Sequence, residues 1–353
     1  MPSRDRPLVS VIIPAFNASA TLRESAASAL SGIYERIEVV IVDDGSTDST
    51  VKVAEEIAGG DARARLLRRE NGGVSAAFNT GLAEASGEYV ARLDADDLWH
   101  PAKLERQVNA ALDRPDVAFL YTDVRYIDGE GRVVRDVAPQ DFPQKSLCRG
   151  IYESIVGGNS SALMLREAVI QAGGYDEALT SWEDLLLQLR ISARYPIAHV
   201  PGFLVGYRVR PGSLSARPDN MLASWRVARE RIKAHFPQVP SYVLDWAHGR
   251  RCAELAESFA WAGSWAMCAS LLLEAFRHDP VWTSRFLAYR TTRRFRNRFA
   301  KRQVPPTAPL FSECSPEQPI GSCDYDHGME GGGLRALDRR RAELLRALDD
   351  RLA

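Results

Sequence analysis

The chain has 353 residues, 45% of them hydrophobic and 26% charged, with a net charge of −1; this is the composition of a soluble globular protein of about two domains. No run of about 18 uncharged apolar residues marks a membrane-spanning helix, and Met1 to Arg6 leads into strand-like sequence without a secretory leader. Five scattered cysteines (Cys148, Cys252, Cys268, Cys314, Cys323) lack both zinc-site spacing and disulfide density, so a reducing cytoplasm is the expected compartment.

In chain order, Leu8 to Ile13 is a β-branched run that Pro14 is expected to end. A helix is predicted over Ala20 to Leu30, a strand over Ile37 to Val42, and a helix over Asp48 to Ile57. A short strand follows near Arg65 to Arg68, then a helix from Val74 to Glu84, a strand from Tyr89 to Leu93 and a helix from Pro101 to Leu112. Strands separated by helices of this length imply right-handed crossovers and a mostly parallel sheet. Near-continuous apolar strands fit burial on both faces.

From Val117 the pattern becomes mixed. Val117 to Tyr126 and Val133 to Val137 read as strands around an Asp128-Gly129 turn, with further strand pieces at Ser161 to Arg166 and Ile197 to Val209. Met221 to Ala300 reads as successive helices, and Ala253 to His278 as one helical hairpin turning at Gly263. Gln303 to Gly333, rich in Pro, Gly, Ser and acids, predicts a disordered linker. A last amphipathic helix is expected from Leu334 to Leu352. The fold class is therefore α/β, a Rossmann-like mixed sheet flanked by helices, with a helical extension and a disordered tail. The segments are 1–217 (sheet domain), 218–302 (helical) and 303–353 (linker and short helix).

In open α/β sheets ligands bind beyond the carboxyl ends of the strands. Three such ends are polar here: Pro14-Ala15-Phe16-Asn17, Asp43-Asp44-Gly45-Ser46-Thr47-Asp48, and Asp94-Ala95-Asp96-Asp97. The second suits a turn, with Ser46 or Asp48 capping the next helix. The third carries three carboxylates in four residues, more than a cap needs, and points to Mg²⁺ or Mn²⁺ with phosphate oxygens. Neither glycine-rich phosphate loop is present, which weighs against a nicotinamide dinucleotide site and a P-loop NTPase.

Together, Ser10 to Asn17, Ile41 to Asp48 and Leu93 to Asp97 resemble glycosyltransferase family 2, of the GT-A fold. Asn71 to Gly81 is similar to the family's Gly-x-Ser-x-Ala-x-Asn-x-Gly segment, and Gly173-Gly174-Tyr175-Asp176-Glu177 with Trp182-Glu183-Asp184 to its later elements. The resemblance covers roughly residues 7–216. It implies an inverting transferase that moves a sugar from a nucleotide diphosphate donor, a UDP-sugar, to an acceptor hydroxyl.

It also implies the site. The nucleotide-sugar would meet Pro14, Phe16, Asn17, Asp43, Asp44, Asn79, Asp94, Ala95, Asp96 and Arg208, with Phe16 against the base and Asp43 accepting a bond from it. Asp94, Asp96 and Asp97 would hold Mn²⁺ or Mg²⁺ against the diphosphate, and Asp184 would be the catalytic base. Departures are Phe16 where Tyr is frequent, Phe78 where Arg often precedes the Asn, and Leu185-Leu186-Leu187-Gln188 where an aromatic and a polar residue commonly follow. Glu183-Asp184 also reads as a helix cap, and Arg208 as a surface ion-pair residue. His100 reads as structural, and the remaining histidines show no metal spacing. Asn159-Ser160-Ser161, Tyr207, Ser213 and Ser215 resemble segments flanking the family's site.

Trp282 to Arg302 carries eight Lys or Arg, no acid, and five interleaved aromatics (Trp282, Phe286, Tyr289, Phe295, Phe299). It reads as an Arg-rich helix docked on the catalytic domain or as a peripheral contact with an anionic membrane. No nucleic-acid recognition module accompanies it. The competing functions are a sugar-nucleotide-binding or scaffolding protein of the same fold without turnover, and a nucleotidyltransferase, which would need a Gly-rich basic loop that Pro14 to Asn17 does not supply. Sequence leaves the sugar, the acceptor and the oligomeric state open.

Overall fold

The computed structural model describes residues 6–137, 147–153, 158–210, 217–297, 308–318 and 332–352. Its strands are β1 Val9–Ala15, β2 Ile37–Asp43, β3 Ala64–Arg68, β4 Tyr89–Arg92, β5 Leu98–Trp99, β6 Phe119–Ile127, β7 Val133–Val137, β8 Leu163–Leu165 and β9 Ile197–Arg208. They form one sheet in the order β3-β2-β1-β4-β8-β6-β9-β5, with β7 paired to β6. Pairing is parallel from β3 through β2 and β1 to β4, then antiparallel at β4–β8 and β8–β6 and parallel again at β6–β9. From β1 the order runs one way to β2 and the other way to β4. Their carboxyl ends thus flank a topological switch, where such sheets open a crevice.

The helices are α1 Leu22–Leu30, α2 Thr50–Gly60, α3 Val74–Glu84, α4 Lys103–Asp113, α5 Leu147–Glu153, α6 Arg166–Gln171 and α7 Glu183–Ser192 around the sheet. Beyond it follow α8 Pro218–His235, α9 Ser241–Trp261, α10 Trp265–His278, α11 Pro280–Asn297 and α12 Gly332–Leu352. Alternation along β1 builds two cores, because successive strand side chains face opposite ways. Val9, Val11 and Ile13 pack with Leu22 and Ala26 of α1, Ala54 and Ile57 of α2 and Leu104 and Val108 of α4. Ile12 packs on the other face with Ala77, Phe78 and Leu82 of α3, Val169 of α6 and Leu187 and Ile191 of α7. Each fully buried Ile or Leu contributes about 1.5–3 kcal/mol. Helix α3 lies so close to the sheet that a Cβ on Gly81 would stand 2.5 Å from Ile12 Cγ2.

Several sequence expectations are corrected. Pro14 does not end the first strand: it lies within β1 opposite Val42. Residues 9 and 15 bond towards β2 (Val9 N to Arg36 O, Asp44 N to Ala15 O), whereas 8 and 12 bond towards β4 (Tyr89 N to Leu8 O, Leu93 N to Ile12 O). The N–H that Pro14 lacks would point to β4, whose pairing has already stopped at Arg92. β5 was not anticipated, since two residues carry no periodicity; it pairs with Gly206 and Val205 of β9. In the β6–β7 turn the left-handed residue is Gly131 (φ 83°), not Gly129, and Asp128 Oδ1 accepts from the N–H groups of Glu130 and Arg132.

The tail is not wholly disordered. Within the stretch expected to be a linker, residues 308–318 form a strap across β6, β7 and β9. Val133 N bonds Pro309 O and Phe203 N bonds Pro316 O, and Phe311 is buried with Leu98, Ile127 and Val133. Arg125, itself buried and paired with Asp136 at 2.9 Å, donates to the carbonyls of Ser315 and Gln318. Residues 303–307 and 319–331 lie outside the described residues. The final helix also docks: Leu345 joins the core of α5, α7, α8 and α9, Arg341 pairs with Asp279, and Asp349 accepts from Cys148 N at the start of α5.

Candidate active site

At the crevice, β1 hands the chain to Phe16, which is 51% exposed, and to Asn17, whose φ of 49° is left-handed. Asn17 is spent on the neighbouring loop: its N–H bonds Ser46 Oγ and its Oδ1 accepts from Thr47 N at 2.9 Å. Asp48 Oδ1 takes Thr50 N at 2.9 Å, but the N-cap position of α2 is Ser49, without a side-chain cap bond, rather than the expected Ser46 or Asp48. Asp44, buried, accepts from Gly72 N and Gly73 N through its two oxygens and meets Arg69; it pins the loop ahead of α3. Asp43 differs. Oδ2 takes Ser46 N at 3.3 Å, while Oδ1 is buried with no partner among the described residues. An unmatched buried acceptor is costly, and a donor on a bound base would match it.

The aspartate loop follows β4. Asp94 is held by Arg92 Nε at 2.6 Å, and its N–H by Ser160 Oγ; Ala95 is buried between the two acids. Asp96 is bound by Arg210 through Nε and Nη2, at 3.0 and 2.6 Å. Its carboxyl is pushed up by burial and by Asp94, against the pull of Arg210. Asp97, expected among the metal ligands, faces inward and is 1% exposed. Its oxygens take Ser160 Oγ at 2.6 Å and Arg208 N at 2.9 Å. Burial, Asp94 and Asp96 all raise its carboxyl. The geometry makes Asp97 the anchor of the loop and leaves Asp94 and Asp96 at the crevice.

Arg208, expected at a phosphate, is likewise engaged within the protein. Its guanidinium donates to Asp96 O, to the carbonyls of Asp128 and Gly129, and to Glu24, and it is only 3% exposed. Two residues on, Arg210 bonds Asp96 at the crevice instead. Asn79 is a staple as well: it donates to Tyr175 O and Glu177 and accepts from Tyr175 N at 2.9 Å, tying α3 to the Gly-Gly-Tyr loop. Ser213 and Ser215 lie outside the described residues.

Helix α7 carries Asp184 in its first turn. Asp184 Oδ1 takes Leu185 N at 2.7 Å. Its carboxyl is pushed up to about 7 by burial and Glu183, against the Leu185 N–H and Arg92. Arg92, a buried guanidinium on β4, joins the two acidic clusters, bonding Asp94 with Nε and Glu183 with Nη1 at 3.0 Å. Asn159 adds a bond to Glu183 and receives one from Tyr175 Oη. Just before α7, Trp182 is held at φ 66°, a strained conformation for a bulky residue. Helices α8 and α9 fix it there. Trp182 Nε1 donates to Met221 O, Ser224 bonds both N and O of Ser181, and the Trp225 ring sits edge-on 5.4 Å away. Two of the leucines that depart from the family pattern have the same origin: Leu185 and Leu186 pack into this helical core, while Leu187 packs under the sheet.

Arg92, Arg210 and Trp182 were missed by sequence reasoning. Arg92 left one legible trace, a charge at the end of an otherwise apolar strand. A second cluster was also missed, because its members come from different helices. His248, Glu274 and His278 place ligand atoms within 4.8 Å of one another. Trp225 Nε1 donates to His248 Nδ1 at 3.0 Å, and indole only donates, so the ring proton is on Nε2, facing Glu274 at 2.8 Å. A metal at Nε2 would displace that proton, and the trio is a hydrogen-bonded strut between α8, α9 and α10. His100 is structural, its Nδ1 accepting from Ala102 N.

Residues 10–172 match the family described as Glycosyl transferase family 2. An uncharacterized glycosyltransferase of Rickettsia felis is 34% identical over 219 residues, 61% of this chain and 36% of its own length; the chain thus spans about a third of that relative. Among solved structures, S. aureus TarS 1-349 in complex with UDP-GlcNAc superposes with a TM-score of 0.54 at 19% identity, covering 77% of this chain and 92% of that one. The mannosyltransferase PcManGT from Pyrobaculum calidifontis, in complex with GDP-Man and Mn²⁺, gives 0.55 at 21%, covering 82% and 81%. At these identities the likeness speaks to fold. The family match over residues 10–172, the relative and the shared architecture agree: residues 10–172 form a glycosyltransferase family 2 region, and the chain has the GT-A fold.

Proposed function

We propose that the chain is an inverting transferase that moves a sugar from a nucleoside diphosphate donor to an acceptor hydroxyl, with Asp184 as the base. The observation that carries this reading is the placement of Asp184 in the first turn of α7, next to Glu183, which Arg92 bonds together with Asp94; burial and Glu183 push its carboxyl up to about 7. A base works best with a proton affinity near the operating pH. Attack by the hydroxyl opposite the leaving diphosphate inverts the anomeric carbon.

The other residues divide the binding. Phe16 offers a face for the nucleobase, and the unmatched Asp43 Oδ1 an acceptor for its N–H, as uracil would supply. Asp94 and Asp96 fit a divalent cation. They are hard oxygen donors whose mutual repulsion and burial raise the Asp96 carboxyl, and Mg²⁺ or Mn²⁺ would relieve that. Such an ion, when bound, stabilises negative charge on the leaving diphosphate. Arg210, now on Asp96, is placed to turn to a phosphate. Asp44, Asn79, Asp97 and Arg208 hold the loops that carry these groups.

The test is turnover across a panel of nucleotide sugars with Mn²⁺ and with EDTA. The expected result is a UDP-sugar activity that EDTA abolishes and that Asp184→Asn lowers at least about a hundredfold. Unchanged turnover in Asp184→Asn would reject this base.

A further inference from the structure

The helical extension ends in an apolar surface that nothing in the chain covers among the described residues. Trp261 and Trp265, flanking the Gly263 turn between α9 and α10, are 77% and 62% exposed. Along α10, Trp265, Ala266, Ala269, Leu273 and Phe276 are all exposed. Their spacing of three or four residues sets them on one side of the helix. Monomeric soluble proteins rarely show such a stripe without a use for it.

From the turn onward the sequence is one-sided in charge. From Ala262 to Arg302 the sequence has nine Lys or Arg and two acids, Glu274 and Asp279. Both acids are turned into the protein: Glu274 bonds His248 and faces Arg226, and Asp279 is buried against Arg341. The surplus is positive, with Arg277 exposed on α10 itself. Of the aromatics expected to anchor the basic stretch, Trp282 and Phe286 are committed elsewhere, 0% and 2% exposed in the core shared by α9, α10 and α11; the side chains of Tyr289, Phe295 and Phe299 lie outside the described residues.

We propose that the α9–α10 hairpin, through Trp261, Trp265 and the outer face of α10, seats the protein on an anionic lipid bilayer. Tryptophan prefers the headgroup level of a membrane, aliphatic side chains beside it reach the acyl boundary, and each nearby Arg adds attraction to an anionic surface. No described helix is long and apolar enough to cross a membrane, so the contact lies in the interface. The hairpin tip is the inserted element, with Arg277 exposed on the same helix.

The full chain is to be sedimented with vesicles of phosphatidylcholine alone and with added phosphatidylglycerol, while tryptophan emission is recorded. Binding to the anionic vesicles with a blue shift is expected, at least about tenfold stronger than to neutral ones. Trp261→Ser/Trp265→Ser, at exposed positions, should keep the thermal midpoint and lose at least about tenfold in binding. Absence of binding to anionic vesicles, or equal binding by the double variant, overturns the proposal. So does a concentration-dependent dimer that the double variant abolishes, which would make the stripe a contact between two copies.

Discussion

The two halves of the sheet are held together differently. In the parallel half, β3-β2-β1, the interior is Val, Ile and Leu from both faces, and the acids Asp43 and Asp44 appear only where β2 ends. In the mixed half, charges lie inside. Arg125 and Asp136 pair with no exposure, Asp123 meets His199 and Gly202 N at 2.7 Å, and Arg208 is bonded in all directions. Apolar burial is non-directional and tolerant, whereas a buried ion requires one particular partner. The first mechanism builds a platform; the second fixes the paths of strands that switch between antiparallel and parallel pairing. The site stands on the seam, where Arg92 leaves the apolar strand β4 to join acids of both halves.

The sharpest way to break this contrast is Arg125→Met, which removes a buried ion-pair partner of Asp136 and releases the strap carbonyls. A loss of about 3–5 kcal/mol in chemical denaturation is expected, and Arg125→Met/Asp136→Leu should regain much of it. A single-variant loss below about 1 kcal/mol would show that the pair does not hold the mixed half.

At the seam, Asp184→Asn should stabilise while it inactivates. The folded value near 7 lies above the unfolded value of about 4. Ionisation is therefore a penalty on folding that is absent below about pH 4, grows as pH rises and is complete above about 7. The variant should exceed the parent by about 1–3 kcal/mol at pH 8, less at pH 5. In the parent, turnover should rise with pH through about 7 and level off; a profile flat from pH 5 to 9 would contradict this.

In the parallel half the corresponding change is steric. Gly81→Ala brings a methyl against Ile12 and Val42 Cγ2, at 2.5 and 3.1 Å, and should cost about 1–3 kcal/mol in denaturation. The smallest expected effect is Phe16→Ala, a loss of about 1 kcal/mol read as a roughly fivefold rise in donor KM with an unchanged melting temperature. A fall in melting temperature would make Phe16 a packing residue instead.

The contrast also decides what was legible. In the parallel half, α3 spans the predicted Val74 to Glu84 and β2 exceeds its prediction by one residue, because local periodicity there reports burial directly. Pro14 alone misled, since its effect depends on which neighbour its nitrogen faces. The aspartate cluster was readable as a site. Its division into Asp94 and Asp96 at the crevice and Asp97 within was not, because Ser160 and Arg208 arrive from more than sixty residues away. Arg92, Arg210, Trp182 and the His248 trio share that property: each is defined by a partner remote in sequence. The strap escaped for another reason. Residues 308–318 have a disordered composition and owe their order to backbone bonds with β7 and β9, to Arg125 and to one phenylalanine.

The bond from Cys148 N to Asp349 has a consequence for remote control of the site. A carboxylate 201 residues further along the chain completes the first turn of α5, and Leu345 of the same helix enters the core around α7. Whatever unseats α12 therefore loosens the helix bearing Asp184 without touching a single residue at the crevice.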